Sequence, residues 1–109
     1  MRKLLVFTSL VLISPIALGA TAECEFIPYN VKVGETGRNE NKLFVCDQSS
    51  AWACYYLGEA NDEIAKIRYS TAMAALASGK RLRLRFYGRS DCESAKTDFA
   101  LPNATWLRK

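Results

Sequence analysis

Residues 61–87 read NDEIAKIRYSTAMAALASGKRLRLRFY, and the reading of this stretch decides the fold. In its second part, Leu82, Leu84 and Phe86 alternate with Arg81, Arg83 and Arg85. That is the period of a strand over 80–87 with one apolar and one cationic face. The first part predicts a helix. Asn61 is a good N-cap, Asp62 and Glu63 suit the positive end of the helix dipole, and Gly79 is a natural stop. Ala65, Tyr69, Ala72, Met73 and Leu76 mark one apolar face, which Ile64 and Ile67 broaden. No charge occurs from Ser70 to Ala77, so a second cover is expected over this half, either thick core or a neighbouring subunit.

Upstream, Val31 and Val33 flank Lys32 in a short alternating strand over 30–36, followed by a polar turn at 37–41. Lys42 to Cys46 and Ala51 to Leu57 are rich in strand formers, and Asp47-Gln48-Ser49-Ser50 supplies turn chemistry between them. The pair reads as an antiparallel hairpin. Downstream, 88–96 reads as a loop, and 98–101 and 104–107 as two short strands separated by Pro102-Asn103. The expected fold is mainly β with one helix, a small OB-type antiparallel barrel of five or six strands.

The first 22 residues differ from the rest. Arg2 and Lys3 precede an apolar run from Leu4 to Leu18, and Ala20-Thr21-Ala22 offers a small-x-small cleavage site. This is the pattern of a secretory leader, with Pro15 inside a run too short to span a bilayer. The expected organisation is a cleaved leader at 1–22 and one OB-type domain at 23–109. Residues 23–109 keep 13 of the 15 Lys and Arg and all 11 Asp and Glu. Their net charge of about +2 does not imply a nucleic-acid partner, and no second apolar run implies a membrane span.

Cys24, Cys46, Cys54 and Cys92 make an even count in a short exported chain, the mark of a disulfide framework. Three connectivities are open. The hairpin puts Cys46 within reach of Cys54, which leaves Cys24 and Cys92 to tie the N-terminus to the second half. A zinc site is poorly served, because the chain has no histidine and no C-x-x-C pair.

The same lack of histidine removes Ser-His and Cys-His nucleophile pairs and an imidazole base. No spacing brings two carboxylates together and no glycine-rich loop cradles phosphate, so a binding protein without cofactor is expected rather than an enzyme. Arg81, Arg83 and Arg85, extended by Lys80 and Arg89, suit a planar anion. The competing role for the row is ion pairing with acids of an adjacent strand or subunit. The aromatics Tyr29, Phe44, Trp52, Tyr55, Tyr56, Phe86, Tyr87, Phe99 and Trp106 are numerous enough to fill a core and still line a sugar pocket. Asn103-Ala104-Thr105 matches a glycosylation pattern and is read as incidental.

Several stretches resemble a known family: Val31-x-Val33, Thr36-Gly37, Asn41-Lys42-x-Phe44-x-Cys46, Ala53-Cys54, and Ala74-x-x-x-Ser78-Gly79-Lys80-x-Leu82-Arg83-x-x-Phe86. They are similar to the B subunits of subtilase cytotoxin and typhoid toxin, pertussis-like one-A-five-B toxins. The resemblance covers residues 30–87. It implies an OB-type fold, a ring of five with the helices lining a pore, a Cys46–Cys54 bridge, sialylated host glycans as ligand and an enzymatic A subunit as partner. The family serine that contacts the sialic acid carboxylate aligns with Ile27, so that contact is missing. A family tyrosine aligns with Phe86, beside Tyr87, and Cys24 and Cys92 depart from the family's C-terminal cysteine pair. The candidate glycan contacts are Tyr29, Asn30, Arg83, Arg85, Phe86 and Tyr87. The alternative function is a small secreted or periplasmic interaction or inhibitor protein without a toxin partner.

Overall fold

The computed structural model describes residues 20–34, 37–49 and 53–108. Residues 1–19 of the expected leader, Thr36, and Ala51 and Trp52 at the start of an expected strand lie outside the described residues. In chain order the elements are β1 Thr21–Phe26, β2 Asn30–Val33, β3 Lys42–Cys46, β4 Cys54–Glu59, α1 Glu63–Ser78, β5 Arg81–Tyr87, α2 Cys92–Thr97 and β6 Ala104–Arg108. All strand pairs are antiparallel, in two three-stranded sheets of order β1-β5-β6 and β2-β3-β4.

Alternation along each strand builds the core. Ala22 and Cys24 of β1 and Leu82, Leu84 and Phe86 of β5 face inward, and meet Leu43, Val45, Tyr55 and Leu57 of the other sheet. A column of rings runs through the centre, with Tyr55 stacked between Phe26 at 5.1 Å and Phe86 at 5.8 Å. Burial also pushes the Tyr55 phenol well above its ordinary pKa, so it stays protonated.

No ladder joins the two sheets among the described residues, so the closed barrel expected from sequence is not seen there. Helix α1 packs instead on both β4 and β6. The approach to β4 is close. A Cβ on Gly58, whose φ is +120°, would lie 2.7 Å from the Ala65 Cβ, so only glycine fits. Arg68 Nη1 donates to the Leu57 carbonyl at 2.9 Å.

The close approach also settles which face of α1 turns inward. Ala65, Ala72 and Ala75 are fully buried, whereas Ile64, Ile67, Met73 and Leu76 are exposed, Ile67 at 64%. The expected single apolar face is therefore split: the alanines turn inward with Tyr69 packed beside them, and Ile64, Ile67, Met73 and Leu76 turn outward. The N-cap is Asp62 rather than Asn61, its carboxylate accepting from the Ile64 N–H, and Gly79 ends the helix in the left-handed conformation as expected.

Other differences are local. Strand β1 was not expected, and it starts at Thr21, ahead of the domain boundary drawn at residue 23. The segment 88–96, expected as loop, holds all but the last residue of α2, whose N-cap Asp91 accepts from the Ser94 N–H at 2.8 Å. Residues 98–101 form the C-cap of α2 and the turn that follows it, not a strand. Both disulfides join the expected partners, Cys46 to Cys54 across the hairpin and Cys24 to Cys92 between β1 and α2. Two such bridges fit an oxidising, exported environment. No helix among the described residues is long and apolar enough to cross a membrane.

Candidate functional site

On the outward side of the second sheet, β2, β3 and β4 place Lys32, Phe44 and Tyr56 in one row across the strands. Phe44 and Tyr56 pack with the Cys46–Cys54 bridge in a small cluster apart from the main core. Phe99 completes the platform, edge-on to Phe44 at 5.6 Å and stacked on Tyr56 at 5.3 Å. Beside it opens a groove of about 510 Å³. One wall is the β2–β3 connection with Gly34, Arg38 and Asn39, and the other is α2 and its exit, with Glu93, Lys96, Thr97 and Phe99.

The backbone is held in uncommon conformations on both walls. Asn39 and Phe99, each with φ of 55°, are the only non-glycine residues with positive φ among the described residues, and both line the groove. Asparagine tolerates this region, but a bulky phenylalanine does not adopt it without strain. Phe99 stands where a helix C-terminus normally carries glycine. The Phe99 N–H donates to the Lys96 carbonyl and the Ala100 N–H to the Ala95 carbonyl, the two bonds of a Schellman cap. Helix α1 closes with the same pair of bonds around Gly79. The groove wall is equally specific, since a Cβ on Gly34 would fall 1.7 Å from the Asn39 carbonyl oxygen.

Charge in the groove is positive. Lys96 is buried, with Nζ 2.9 Å from Asp47 and 3.5 Å from Glu93, and so is already compensated. Arg38 and Lys32 pair with no carboxylate among the described residues, and Lys32 lies 5.6 Å from the centre of the Phe44 ring. At the far end of the row, Glu59 accepts from Lys42 Nζ at 2.7 Å and from the Tyr56 hydroxyl at 2.9 Å. These two bonds, that of Lys42 first, hold the Glu59 carboxyl below its usual range. Burial, and then the bond to Glu59, raises the Tyr56 phenol to about 12. An aromatic floor with two cations at its rim that have no carboxylate partner among the described residues is suited to a ring-bodied ligand that carries an acidic group.

The arginine row has a different role. On the outward face of the first sheet it lies between the glutamates of β1 and Trp106 of β6. Arg83 Nε donates to Glu25 at 2.9 Å and its Nη1 to Glu23 at 3.0 Å, while Arg85 Nε donates to Glu23 at 2.7 Å. Arg81 Nε is 3.1 Å from Glu25. The guanidiniums of Arg83 and Arg85 also lie 5.6 and 5.1 Å from the centre of the Trp106 ring. Ion pairing with an adjacent strand accounts for the row. The hydrogen bond from Arg83, reinforced by the charges of Arg83, Arg108 and Arg81, holds Glu25 below the usual carboxylate range.

The sign of the acid response follows. Glu25 and Glu59 have folded-state pKa values below the ordinary 4.5, so the stability they contribute is complete above that pH. It is lost as the pH falls through their depressed folded values. Thermal unfolding is expected to be level from neutrality down to about pH 5 and to drop below about pH 4, and Glu25→Gln should flatten part of that drop. An unaltered acid limb in this variant would show that the pair has no energetic role.

The remaining expected contacts do not converge. Tyr29 and Asn30 are exposed at the entry to β2, where the Tyr29 N–H bonds the Cys46 carbonyl. Tyr87 is exposed at the end of β5, in the other sheet. Phe86 is 1% exposed and stacked on Tyr55, so it is a core residue and out of a ligand's reach. Ile27 is exposed between β1 and β2. Asn39 and Phe99 carried no sequence signal as a pair, because the turn and the cap that bring them together are 60 residues apart in the chain. No group of three or more Cys, Asp or Glu among the described residues is arranged to hold a metal ion.

The chain matches no family model, no curated protein and no solved structure.

Proposed function

We propose that the protein is an exported glycan-binding subunit, of the kind that serves as the receptor-binding B component of a five-membered toxin ring, and that it holds an acidic host sugar such as a sialylated glycan in the groove beside Phe99. Phe99 carries the reading. A phenylalanine in a conformation that favours glycine persists only where the surroundings hold it, and such strain concentrates at ligand sites.

The strand connectivity supports it. In an OB fold the first strand bends and joins both sheets, and ligands bind on the outer face of strands 2 and 3 between the first and the last inter-strand loops. Here β1 and β2 follow each other across Ile27-Pro28-Tyr29 and enter different sheets. If they are the two halves of that bent strand, β3 and β4 are OB strands 2 and 3. The groove then lies between the first inter-strand connection, through Gly34, Arg38 and Asn39, and the last, at 88–103. The ring is supported by α1, whose Ile64, Ile67, Met73 and Leu76 are exposed among the described residues, and beside which Ile67, Ala74 and Leu107 line a shallow depression of about 360 Å³. Binding without turnover is in keeping with the lack of histidine.

Phe99→Gly separates ligand binding from folding. It removes the platform ring and at the same time relieves the backbone. On an array of acidic and neutral glycans, the oxidised protein should bind acidic members, and the variant should bind them about tenfold more weakly or worse with little change in melting temperature. Light scattering should return five times the monomer mass. A monomer that binds no glycan would remove the proposal.

A further inference from the structure

We infer that the secretory leader is cut between Gly19 and Ala20, so that the exported domain keeps Ala20-Thr21-Ala22 as the start of β1. The inference rests on reading the N-terminal segment as a leader, and it moves the cleavage site three residues ahead of the one that Ala20-Thr21-Ala22 offers.

Two windows in the N-terminal segment satisfy the small-x-small requirement with alanine or glycine at both ends: Ala17-Leu18-Gly19 and Ala20-Thr21-Ala22. Sequence alone does not choose between them, but the sheet does. Thr21 pairs with Tyr87 and Ala22 with Phe86, and the Gly88 N–H donates to the Ala20 carbonyl at 2.8 Å. Ala22 is 5% exposed and belongs to the main core, beside the fully buried Phe86. A cut after Ala22 would remove all of these at once. It would strip the end of β5 of its partner strand and uncover the Phe86 side of the core.

Charge gives the same answer. Cleavage adds water across the amide: the C–N bond breaks, the residue before it keeps a carboxylate, and the residue after it becomes an ammonium. After Ala22 that ammonium would sit on Glu23, whose side chain is held by Arg83 at 3.0 Å and Arg85 at 2.7 Å. A new cation would then compete with two guanidiniums for one carboxylate. After Gly19 the ammonium sits on Ala20, ahead of the first paired residue and clear of that network.

The leader peptidase meets the chain before it folds, so both bonds are open to it. Only the product that starts at Ala20 completes the sheet. A product shortened to Glu23 spends more time unfolded and is cleared by proteolysis, which follows the open population.

The full chain with its leader, expressed in a bacterium with an oxidising periplasm, tests this by intact mass and N-terminal sequencing of the exported protein. The expected product begins at Ala20 and carries both disulfides. A product that begins at Glu23 would overturn the inference while leaving the leader reading intact; exported protein that retains Met1 would overturn both. Chains made to start at Ala20 and at Glu23, oxidised and melted side by side, give a second measure. The longer should melt at the higher temperature, and equal melting would remove the structural basis.

Discussion

Replacing Cys24 and Cys92 together with alanine is expected to cost about 4 kcal/mol, against about 2.5 kcal/mol for the same change at Cys46 and Cys54. The difference comes from loop closure in the unfolded chain. The first bridge joins residues 68 apart and the second residues 8 apart, and the entropy withheld from the unfolded state grows with the logarithm of that span. The short bridge also links residues that the hairpin already sets opposite each other, at Cys46↔Cys54. The long one fastens α2 to β1, the strand that pairs with most of β5. In a domain this small, about 4 kcal/mol is most of the available stability. The variant without the long bridge should be largely unfolded at 37 °C, while the variant without the short bridge remains folded. Urea unfolding of the two oxidised variants beside the parent decides the order. A greater loss from the short bridge would show that strain or residual structure, rather than chain entropy, governs these links.

Lys96→Met is expected to cost about 3 kcal/mol, the second largest effect. Lys96 is 8% exposed, its Nζ is 2.9 Å from Asp47, and it lies 5.0 Å from the centre of the Tyr55 ring. Methionine keeps the length and loses the charge, leaving the Asp47 carboxylate with little water around it. Its Oδ1 already lacks a hydrogen-bond partner among the described residues. Removing one member of a buried pair costs more than the pair contributes, because the survivor is a desolvated charge. The double variant Lys96→Met with Asp47→Leu should therefore recover to within about 1 kcal/mol of the parent. A double variant as unstable as the single one would mean that Lys96 acts by packing and not by charge. Glu93, at 3.5 Å and mostly exposed, is too solvated to replace Asp47.

Features set by neighbours along the chain were open to reading. Strand β5 declares itself because Leu82, Leu84 and Phe86 alternate with arginines, and the end of α1 because Gly79 alone in that stretch takes the left-handed conformation without strain. The β3–β4 hairpin, and with it the Cys46–Cys54 bridge, follows from two strand-forming runs around a turn. Strand β1 was hidden because its first residues resemble the end of a leader. Helix α2 was hidden because its six residues are too few to show a period, and its Asp91 cap was the only local signal.

By itself, then, the sequence determined a mainly β domain, its main helix and its disulfide framework, since periodicity, caps and turns act over a few residues. Tertiary structure decided the rest. It turned the alanines of α1 inward, because the β4 backbone comes too close at Gly58 for anything larger. It also committed Arg83 to Glu23 and Glu25, which lie 60 and 58 residues away in the chain, and placed Lys32 and Arg38 at the groove instead. The platform at Phe99 exists only because a helix end and a sheet face meet in space, and no local pattern encodes that meeting.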